Sequence, residues 1–234
     1  AHGRVNMVKA LKVSCDTYFY QLGLRIGIDE IANMCREFGL GEKTGIELPG
    51  EDSGVVPSPV SKLQLRLDYL SQESRKKVED IEQNYNELLA KTTDEGQRKA
   101  LLRKRADELR AIEWDLDWHD YDTIITSIGQ GDNRYTPLEL ANYIATIANG
   151  GIRYKPYLVQ RVLDPYGKVL RENTPVELGR AAVSPKTLAV AQQGMREVAL
   201  PPDGTAVGLF TGFPPVAAKT GTAEVQNHDD HALF

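Results

Sequence analysis

Residues 61–113 constrain the fold of this chain more than any other stretch, because their dense charges and helical apolar spacing indicate helices with polar faces. Nearly every second residue is charged, the two signs almost balance, and there is no proline. Apolar residues recur at helical spacing in two series, which are Val78, Ile81, Tyr85 and Leu88, and then Leu102, Ala106, Leu109 and Ile112. The segment KTTDEGQ lies between them, with Asp94 and Gly96, and is typical of a helix–helix turn. The stretch therefore predicts an inserted antiparallel helical hairpin, whose polar faces contact solvent or dock another protein.

The flanking segments, residues 1–60 and 114–234, predict a different architecture. Apolar residues from Val8 to Leu22 are spaced as on a helix, and Asp29 is a candidate N-cap for a helix from Glu30 to Phe38 that Gly39 would end. The segment TPLE at residues 136–139 predicts a capping box with proline at the first helical position, and hence a helix to about Asn149.

The C-terminal part of the sequence adds strands to these helices. Ser184-Pro185 predicts the start of a helix that runs to about Val198. Residues 157–163 and 168–171 flank DPYG and predict a β-hairpin, and residues 217–225 predict a strand with Lys219 near its start. Helices before and after antiparallel strands indicate an α+β fold.

Composition and charge exclude several classes of function. The formal net charge is -5 and no basic patch stands out, so we expect no nucleic acid partner. No apolar run of about 18 residues is present that could span a membrane. The run HDDH at residues 228–231 lacks the spacing of a metal site, and Cys15 and Cys35 are too few for a disulfide framework. We predict neither a metal nor a cofactor.

Two short motifs carry chemistry. Lys219-Thr220-Gly221 matches the K-T-G element of the penicillin-interacting serine enzymes, whose other elements are S-x-x-K and S-D-N. Ser14-Cys15-Asp16 stands where such enzymes have Ser-x-Asn, or Ser-x-Asp in some branches. An ionised carboxylate accepts hydrogen bonds but does not donate them, so Asp16 is better suited to pair with a lysine than to bind a substrate amide.

The sequence around these motifs resembles the transpeptidase domain of class B penicillin-binding proteins. Four segments follow each other as they do in that family, namely HGRVNMVKALKVSCDTYFYQLG, FGLGEKTGIELPGEDSGVVPSP, SIGQGDNRYTPLELANYIATIANGG and AAKTGTAEV. The resemblance is to the elongation (rod-shape) type, penicillin-binding protein 2, and it covers nearly everything except residues 61–113. It implies the penicillin-binding (β-lactamase-like) fold, incomplete in this chain, with the helical hairpin as an insert.

The same resemblance implies a serine D-alanyl-D-alanine transpeptidase that cross-links peptidoglycan through an acyl-enzyme and is acylated by β-lactams. Ser14, Asp16 and Lys219 are the implied catalytic residues, with Ser14 as a proton relay and Lys219 as a fixed cation. Thr220, Gly221 and Thr222 are the implied substrate-binding residues. The two hydroxyls would bind the terminal carboxylate of a stem peptide, and Gly221 would let that peptide lie along the strand edge. The Thr222 backbone N–H is an implied oxyanion-hole donor.

The nucleophile of the family is expected on a Ser-x-x-Lys motif upstream of Ser14, where this chain has no serine. The one formal match, Ser74-Arg75-Lys76-Lys77, lies after Ser14 in the charged hairpin, and we interpret it as chance. We therefore expect a segment of a longer transpeptidase, with the nucleophile outside this chain. By itself the segment should neither cross-link peptides nor be acylated by penicillin.

Two alternatives stay open at the level of sequence. The segment could act as an interaction module that docks membrane proteins of the cell-elongation machinery through the hairpin. It could also belong to a β-lactamase or β-lactam sensor, which shares the K-T-G chemistry. The family resemblance implies a protein anchored in the bacterial cytoplasmic membrane, with this domain on the extracytoplasmic face.

Overall fold

The computed structural model describes residues 2–114, 117–224 and 229–233, and the side chains of these residues except 67–75, 110, 113 and 114. The chain divides into two compact units, of which one comprises residues 1–56 and 120–234 and the other residues 57–119. The helices are α1 (Met7–Lys12), α2 (Asp16–Ile26), α3 (Ile28–Glu37), α4 (Pro59–Lys91), α5 (Glu95–Trp114), α6 (Asp120–Thr126), α7 (Pro137–Ala148) and α8 (Pro185–Val198). The strands are β1 (Ile152–Tyr154), β2 (Arg161–Leu163), β3 (Val169–Glu172), β4 (Glu177–Arg180), β5 (Gly221–Ala223) and β6 (His231–Leu233).

The larger unit is α+β, as predicted. In the described part of the chain its strands form three separate antiparallel pairs, β1 with β4, β2 with β3, and β5 with β6. The predicted β-hairpin is present as β2–β3, but its first strand begins at Arg161 and not at residue 157. Its turn is closed by Asp164, whose side chain accepts from the backbone N–H groups of Tyr166 and Lys168. The pairing of β1 with β4 was not predicted.

Helices α7 and α8 begin as their sequences predict. Thr136 accepts a hydrogen bond from the Glu139 backbone N–H at 3.2 Å, and Glu139 reaches back to the Thr136 N–H at 2.7 Å, which completes a capping box. Ser184 caps α8 by accepting from the Thr187 N–H at 3.1 Å, with Pro185 at the first helical position.

The N-terminal helices differ from the prediction at their ends. The apolar residues from Val8 to Leu22 belong to two helices, because the helical conformation is interrupted between α1 and α2 at Ser14, whose φ is 47°. Helix α3 begins at Ile28 after Gly27, so the predicted N-cap at Asp29 is wrong. Its predicted end is correct, since Gly39 (φ 84°) and the next residue donate back to Arg36 and Cys35 in a Schellman arrangement.

The smaller unit is a pair of helices, α4 and α5, joined at residues 92–94. The turn differs slightly from the prediction, because Gly96 lies in the first turn of α5, where Asp94 accepts from the Gln97 N–H at 2.8 Å. Arg98 donates to the carbonyl of Leu89 at 2.7 Å near this turn, and at the other end Lys62 donates to the carbonyl of Asp117 at 2.6 Å. The start of α4 therefore lies by the end of α5, which is the antiparallel arrangement of a hairpin.

The packing of α1 on α8 holds the two parts of the candidate site together in the larger unit. Gly194 of α8 lies so close to Leu11 of α1 that a Cβ there would stand 2.5 Å from the Leu11 Cδ1. On the same helix Val198 packs with Ala206 and Ala218 in a buried cluster. Ala218 also donates its N–H to the carbonyl of Met195 at 2.9 Å. Helix α8 thus fixes both the end of α1 and the segment that leads to Lys219.

None of the described helices is long and apolar enough to cross a membrane.

Candidate functional site

Ser14 lies at the junction between α1 and α2, in a left-handed backbone conformation. Residues other than glycine adopt this conformation rarely, since their Cβ approaches the backbone carbonyl. The neighbouring backbone supports it, because Cys15 donates to the Ala10 carbonyl at 2.9 Å and its side chain is buried. The junction therefore holds Ser14 at a sharp bend between the two helices.

Lys219 meets this hydroxyl. Its Nζ donates to the Ser14 Oγ at 2.5 Å and to the carbonyl of Thr220 at 2.6 Å. The lysine is half-buried. Burial lowers the pKa of Lys219 below its ordinary value because it disfavours the ammonium, and the negative charge of Asp16 partly offsets this effect. The two motifs predicted from sequence, which are more than 200 residues apart, thus converge on one hydrogen bond.

Asp16 is the first residue of α2 and is exposed. Its carboxylate acts on Lys219 through charge, and among the described contacts no ion pair within 4.0 Å joins the two. The pairing of Asp16 with a lysine therefore stays a prediction. A carboxylate at the start of a helix is also stabilised by the helix dipole.

Thr220, Gly221 and Thr222 follow Lys219 directly. The predicted strand over residues 217–225 is shorter in the structure, since β5 begins at Gly221 and Lys219 precedes it. Residue 225 lies outside the described residues. Strand β5 pairs on one side with β6, in the register Gly221–Leu233, Thr222–Ala232 and Ala223–His231. Lys219 therefore precedes the strand, in a segment that the packing of Ala218 on α8 anchors.

The threonine hydroxyls and the glycine have distinct surroundings. The Thr220 Oγ1 lies 2.7 Å from the Thr205 Oγ1, and Thr205 donates its N–H to the carbonyl of Lys12 at the end of α1. A Cβ on Gly221 would stand 3.7 Å from the Leu233 Cβ, which is ordinary contact. No described atom of the chain requires glycine at this position, so its use in admitting a peptide stays a prediction.

Two polar residues near the site were not predicted from sequence. Gln130 donates to the carbonyl of Thr222 at 3.0 Å and accepts from the N–H of Glu224 at 3.3 Å. Thr205 holds the hydroxyl of Thr220. Gln130 stands between two glycines in the segment SIGQG, and this unusual spacing was the available signal. Thr205 has no such signal.

Two other candidates were named from the sequence, the serine at position 74 and the HDDH run. Ser74 lies within α4, and its side chain is outside the described set, as is that of Arg75. In the HDDH run His228 lies outside the described residues, and Asp229, Asp230 and His231 are exposed. Within the described ranges no group of three or more histidine, cysteine, aspartate or glutamate side chains is placed to hold a metal ion.

Comparisons with known proteins point to one family. The family model described as the penicillin binding protein transpeptidase domain matches residues 1–232. A peptidoglycan D,D-transpeptidase MrdA from Acinetobacter baumannii is 30% identical over 226 residues, which cover 97% of this chain and 26% of that protein. The chain thus spans about a quarter of the length of this curated relative.

Solved structures of similar proteins share the fold. In the complex between penicillin-binding protein 2 and MreC from Helicobacter pylori, the similar chain is 30% identical with a TM-score of 0.65, over 99% of this chain and 33% of that one. Penicillin-binding protein A from Mycobacterium tuberculosis, solved as an imipenem acyl-enzyme complex, is 26% identical with a TM-score of 0.61, over 99% and 39% of the two chains.

Proposed function

Because the chain belongs to the penicillin-binding protein transpeptidase family, of the class B, penicillin-binding protein 2 type, we propose that it forms part of a D-alanyl-D-alanine transpeptidase. That enzyme cross-links peptidoglycan through a serine acyl-enzyme. One observation carries the assignment of the site: the Lys219 ammonium donates to the Ser14 hydroxyl at 2.5 Å, beside strand β5. The relative from Mycobacterium tuberculosis forms an acyl-enzyme with imipenem, which supports the same covalent chemistry here.

Ser14 and Lys219 serve the proton transfers in this proposal. The Ser14 hydroxyl accepts from Lys219 and retains a proton of its own, which it passes to the leaving amine while it takes another from the lysine. Lys219 also raises the local positive potential, which favours the terminal carboxylate of the substrate. Asp16 favours the protonated form of Lys219, since its negative charge opposes the effect of burial on the lysine pKa.

Strand β5 and the residue before it receive the substrate. The hydroxyls of Thr220 and Thr222 bind the terminal carboxylate of a stem peptide, and the backbone N–H of Thr222 stabilises the oxyanion of the tetrahedral intermediate. The acylated serine belongs to the Ser-x-x-Lys motif that we expect outside these 234 residues. Its attack on the penultimate D-alanine carbonyl expels the last D-alanine, and an amine of a second stem peptide resolves the acyl-enzyme.

Acylation by labelled penicillin tests this proposal in the complete protein that carries the chain. Lys219→Met removes the cation but keeps an unbranched side chain, and we expect the second-order acylation rate constant to fall by about 10²–10³-fold. Ser14→Ala should lower it by about 10²–10⁴-fold because the relay is lost. Lys186→Met is the matched control, because Lys186 is exposed on α8. This variant should be acylated at the wild-type rate.

An unchanged acylation rate constant in Lys219→Met would show that the proposed site is wrong. Rapid release of hydrolysed penicillin by the wild-type protein would instead identify a β-lactamase. The 234-residue chain alone serves as a third measurement, because a labelled band on it would contradict the expectation that its nucleophile lies elsewhere.

We also propose partners and a location for the complete protein. Its substrates are peptidoglycan stem peptides, its inhibitors are β-lactams, and it works at the outer face of the bacterial cytoplasmic membrane. The similar Helicobacter pylori protein was solved in a complex with MreC, which supports a partner in the cell-elongation machinery.

The helical hairpin of residues 57–119 is the candidate docking element. It forms a compact unit of its own, and none of the proposed site residues lies in it. We expect its deletion from the complete protein to abolish localisation to the elongation machinery while penicillin acylation stays intact. If neither property changes, the hairpin is a passive spacer and docking is wrong.

A further inference from the structure

One edge of strand β5 is free of any other strand in the described part of the chain. In an extended strand the N–H and C=O groups of alternate residues point to opposite edges. Thr222 and Glu224 direct these groups toward Gln130, so those of Gly221 and Ala223 face β6. The edge beside Ser14 and Lys219 therefore offers the acceptor of Thr222 and the donor of Glu224, which a further extended chain could pair with.

The side chain of Gln130 forms hydrogen bonds with both of these groups, the Thr222 carbonyl and the Glu224 N–H. Its amide NH₂ donates to the Thr222 carbonyl at 3.0 Å, and its amide oxygen accepts from the Glu224 N–H at 3.3 Å. A carboxamide has the same donor and acceptor as a peptide group. Gln130 thus makes at this edge the two hydrogen bonds that one residue of an adjacent parallel strand would make with β5.

The backbone of Gln130 is fixed independently of β5. Gln130 donates its N–H to the carbonyl of Ile125 at 3.1 Å, and its own carbonyl accepts from the Asn133 side chain at 2.7 Å. It stands between Gly129 (φ 82°) and Gly131 (φ 73°), in a turn that follows α6. The flexible side chain can therefore leave the strand edge without disturbing the turn or the Ser14–Lys219 hydrogen bond.

We propose that Gln130 is a displaceable cap on the β5 edge, whose place an extended peptide substrate takes when it binds. The inference rests on the proposed function, and it identifies Gln130 as a residue that tunes affinity for the peptide. A cap that mimics a peptide keeps the edge paired when no substrate is present. Substrate can bind only to molecules whose edge is uncovered, so its apparent affinity falls as the covered fraction rises.

Peptide competition measures the cap. The complete protein is acylated with labelled penicillin in the presence of a pentapeptide that ends in D-alanyl-D-alanine, which gives an inhibition constant for the peptide. Gln130→Ala removes both hydrogen bonds, and Gln130→Asn is too short to make both. We expect each variant to lower the inhibition constant by about threefold to tenfold, the equivalent of one hydrogen bond.

Gln192→Ala is the control, because Gln192 also donates to a backbone carbonyl, that of Ile147, away from β5. Its constant should match that of the wild type.

A second measurement follows the strand edge directly. Amide hydrogen exchange at Glu224 should be faster in Gln130→Ala than in the wild type, while exchange at Ala223, which faces β6, should stay the same. An inhibition constant that is unchanged or higher in both Gln130 variants would overturn the cap and indicate a residue that supports the strand. If the wild type is acylated normally and only the peptide constants fail to shift, the transpeptidase proposal stands. If the wild type is not acylated, that proposal fails as well.

Discussion

At the scale of single residues, Ser14 combines a strained backbone with the hydroxyl that meets Lys219. Both Ser14→Gly and Ser14→Ala delete the hydroxyl, but only glycine adopts a φ of 47° without cost. We expect Ser14→Gly to exceed Ser14→Ala in free energy of unfolding by about 1 kcal/mol, measured by urea denaturation. Equal stabilities would show that the left-handed conformation is not retained in solution.

Asp16 makes a prediction about pH. Its negative charge raises the pKa of Lys219, against the lowering by burial, so Asp16→Asn should lower this pKa further. A protonated Lys219 is required in the proposed mechanism. The alkaline limb of the penicillin acylation profile should therefore move to lower pH in Asp16→Asn, and the ¹³Cε chemical shift of Lys219 should titrate with it. Asp29→Asn, also in the first turn of a helix, is the control that should leave both unchanged.

The same shift has a consequence for stability. The folded-state pKa of Lys219 lies below its ordinary value of 10.5, so the unfolded chain binds more protons in the interval between the two. The free energy of unfolding should rise with pH across that interval. Asp16→Asn should widen the interval toward lower pH.

The motifs predicted that Ser14 and Lys219 lie together, but not how the backbone brings them together. The K-T-G match placed Lys219, and the Ser-x-Asp match placed Ser14 and Asp16, because these patterns are local in sequence. The left-handed bend at Ser14 left no mark in the apolar spacing from Val8 to Leu22, which continues through it. Gln130 was missed because its role depends on a strand nearly a hundred residues further along the chain.

At the scale of elements, Glu139 joins α7 to the preceding loops of the larger unit. It is 1% exposed, and its Oε1 accepts from the backbone N–H groups of Gly41 at 2.8 Å and Gly54 at 3.1 Å. Its Oε2 accepts from the N–H of Thr136 at 2.7 Å. The capping box predicted from TPLE is therefore also a buried anchor, which the local sequence pattern does not indicate.

Glu139 variants should rank by how many of these donors they satisfy. Glu139→Gln keeps one acceptor oxygen and sets an NH₂ group against one donor, so we expect a loss of about 1–2 kcal/mol in free energy of unfolding. Glu139→Ala leaves three part-buried N–H groups without this acceptor and should cost about 3–5 kcal/mol. Glu177→Gln, an exposed residue paired with Arg180, should cost less than about 0.5 kcal/mol. Urea denaturation followed by far-UV circular dichroism checks the ranking, and equal losses for Gln and Ala at position 139 would contradict it.

Helix caps and turns were predictable because their signals span only a few residues. Ser184-Pro185 and Thr136 begin α8 and α7, and DPYG lies at the turn of β2–β3. The pair β1–β4 was not predictable, because each strand has only three or four residues and its partner is separated by the whole β2–β3 hairpin. Strand β5 was overestimated for the converse reason: its sequence alternates beyond the three residues that pair with β6.

At the scale of the whole molecule, the change in composition at residue 61 and again near 113 corresponds closely to the unit of residues 57–119. The balanced charges predicted two helices with little apolar surface to bury. The structure agrees, because among the described side chains of α4 and α5 only Lys62 and Tyr85 are buried. Two polar contacts join the helices, with Tyr85 donating to Glu108 at 2.7 Å and Arg105 paired with Glu82. That residues 57–119 are an insert in a transpeptidase domain remains a proposal.

A unit with so small a core should unfold before the rest of the chain. Both tryptophans of the sequence, Trp114 and Trp118, fall within residues 57–119, so we use tryptophan emission as the probe of this unit. We expect the emission to change at a urea concentration lower by roughly 1 M or more than the last transition in far-UV circular dichroism, which follows the helices of both units. A chain in which a short flexible linker replaces residues 57–119 should keep only the later transition. Coincident midpoints by the two probes would instead mean that the hairpin and the larger unit unfold as one cooperative body.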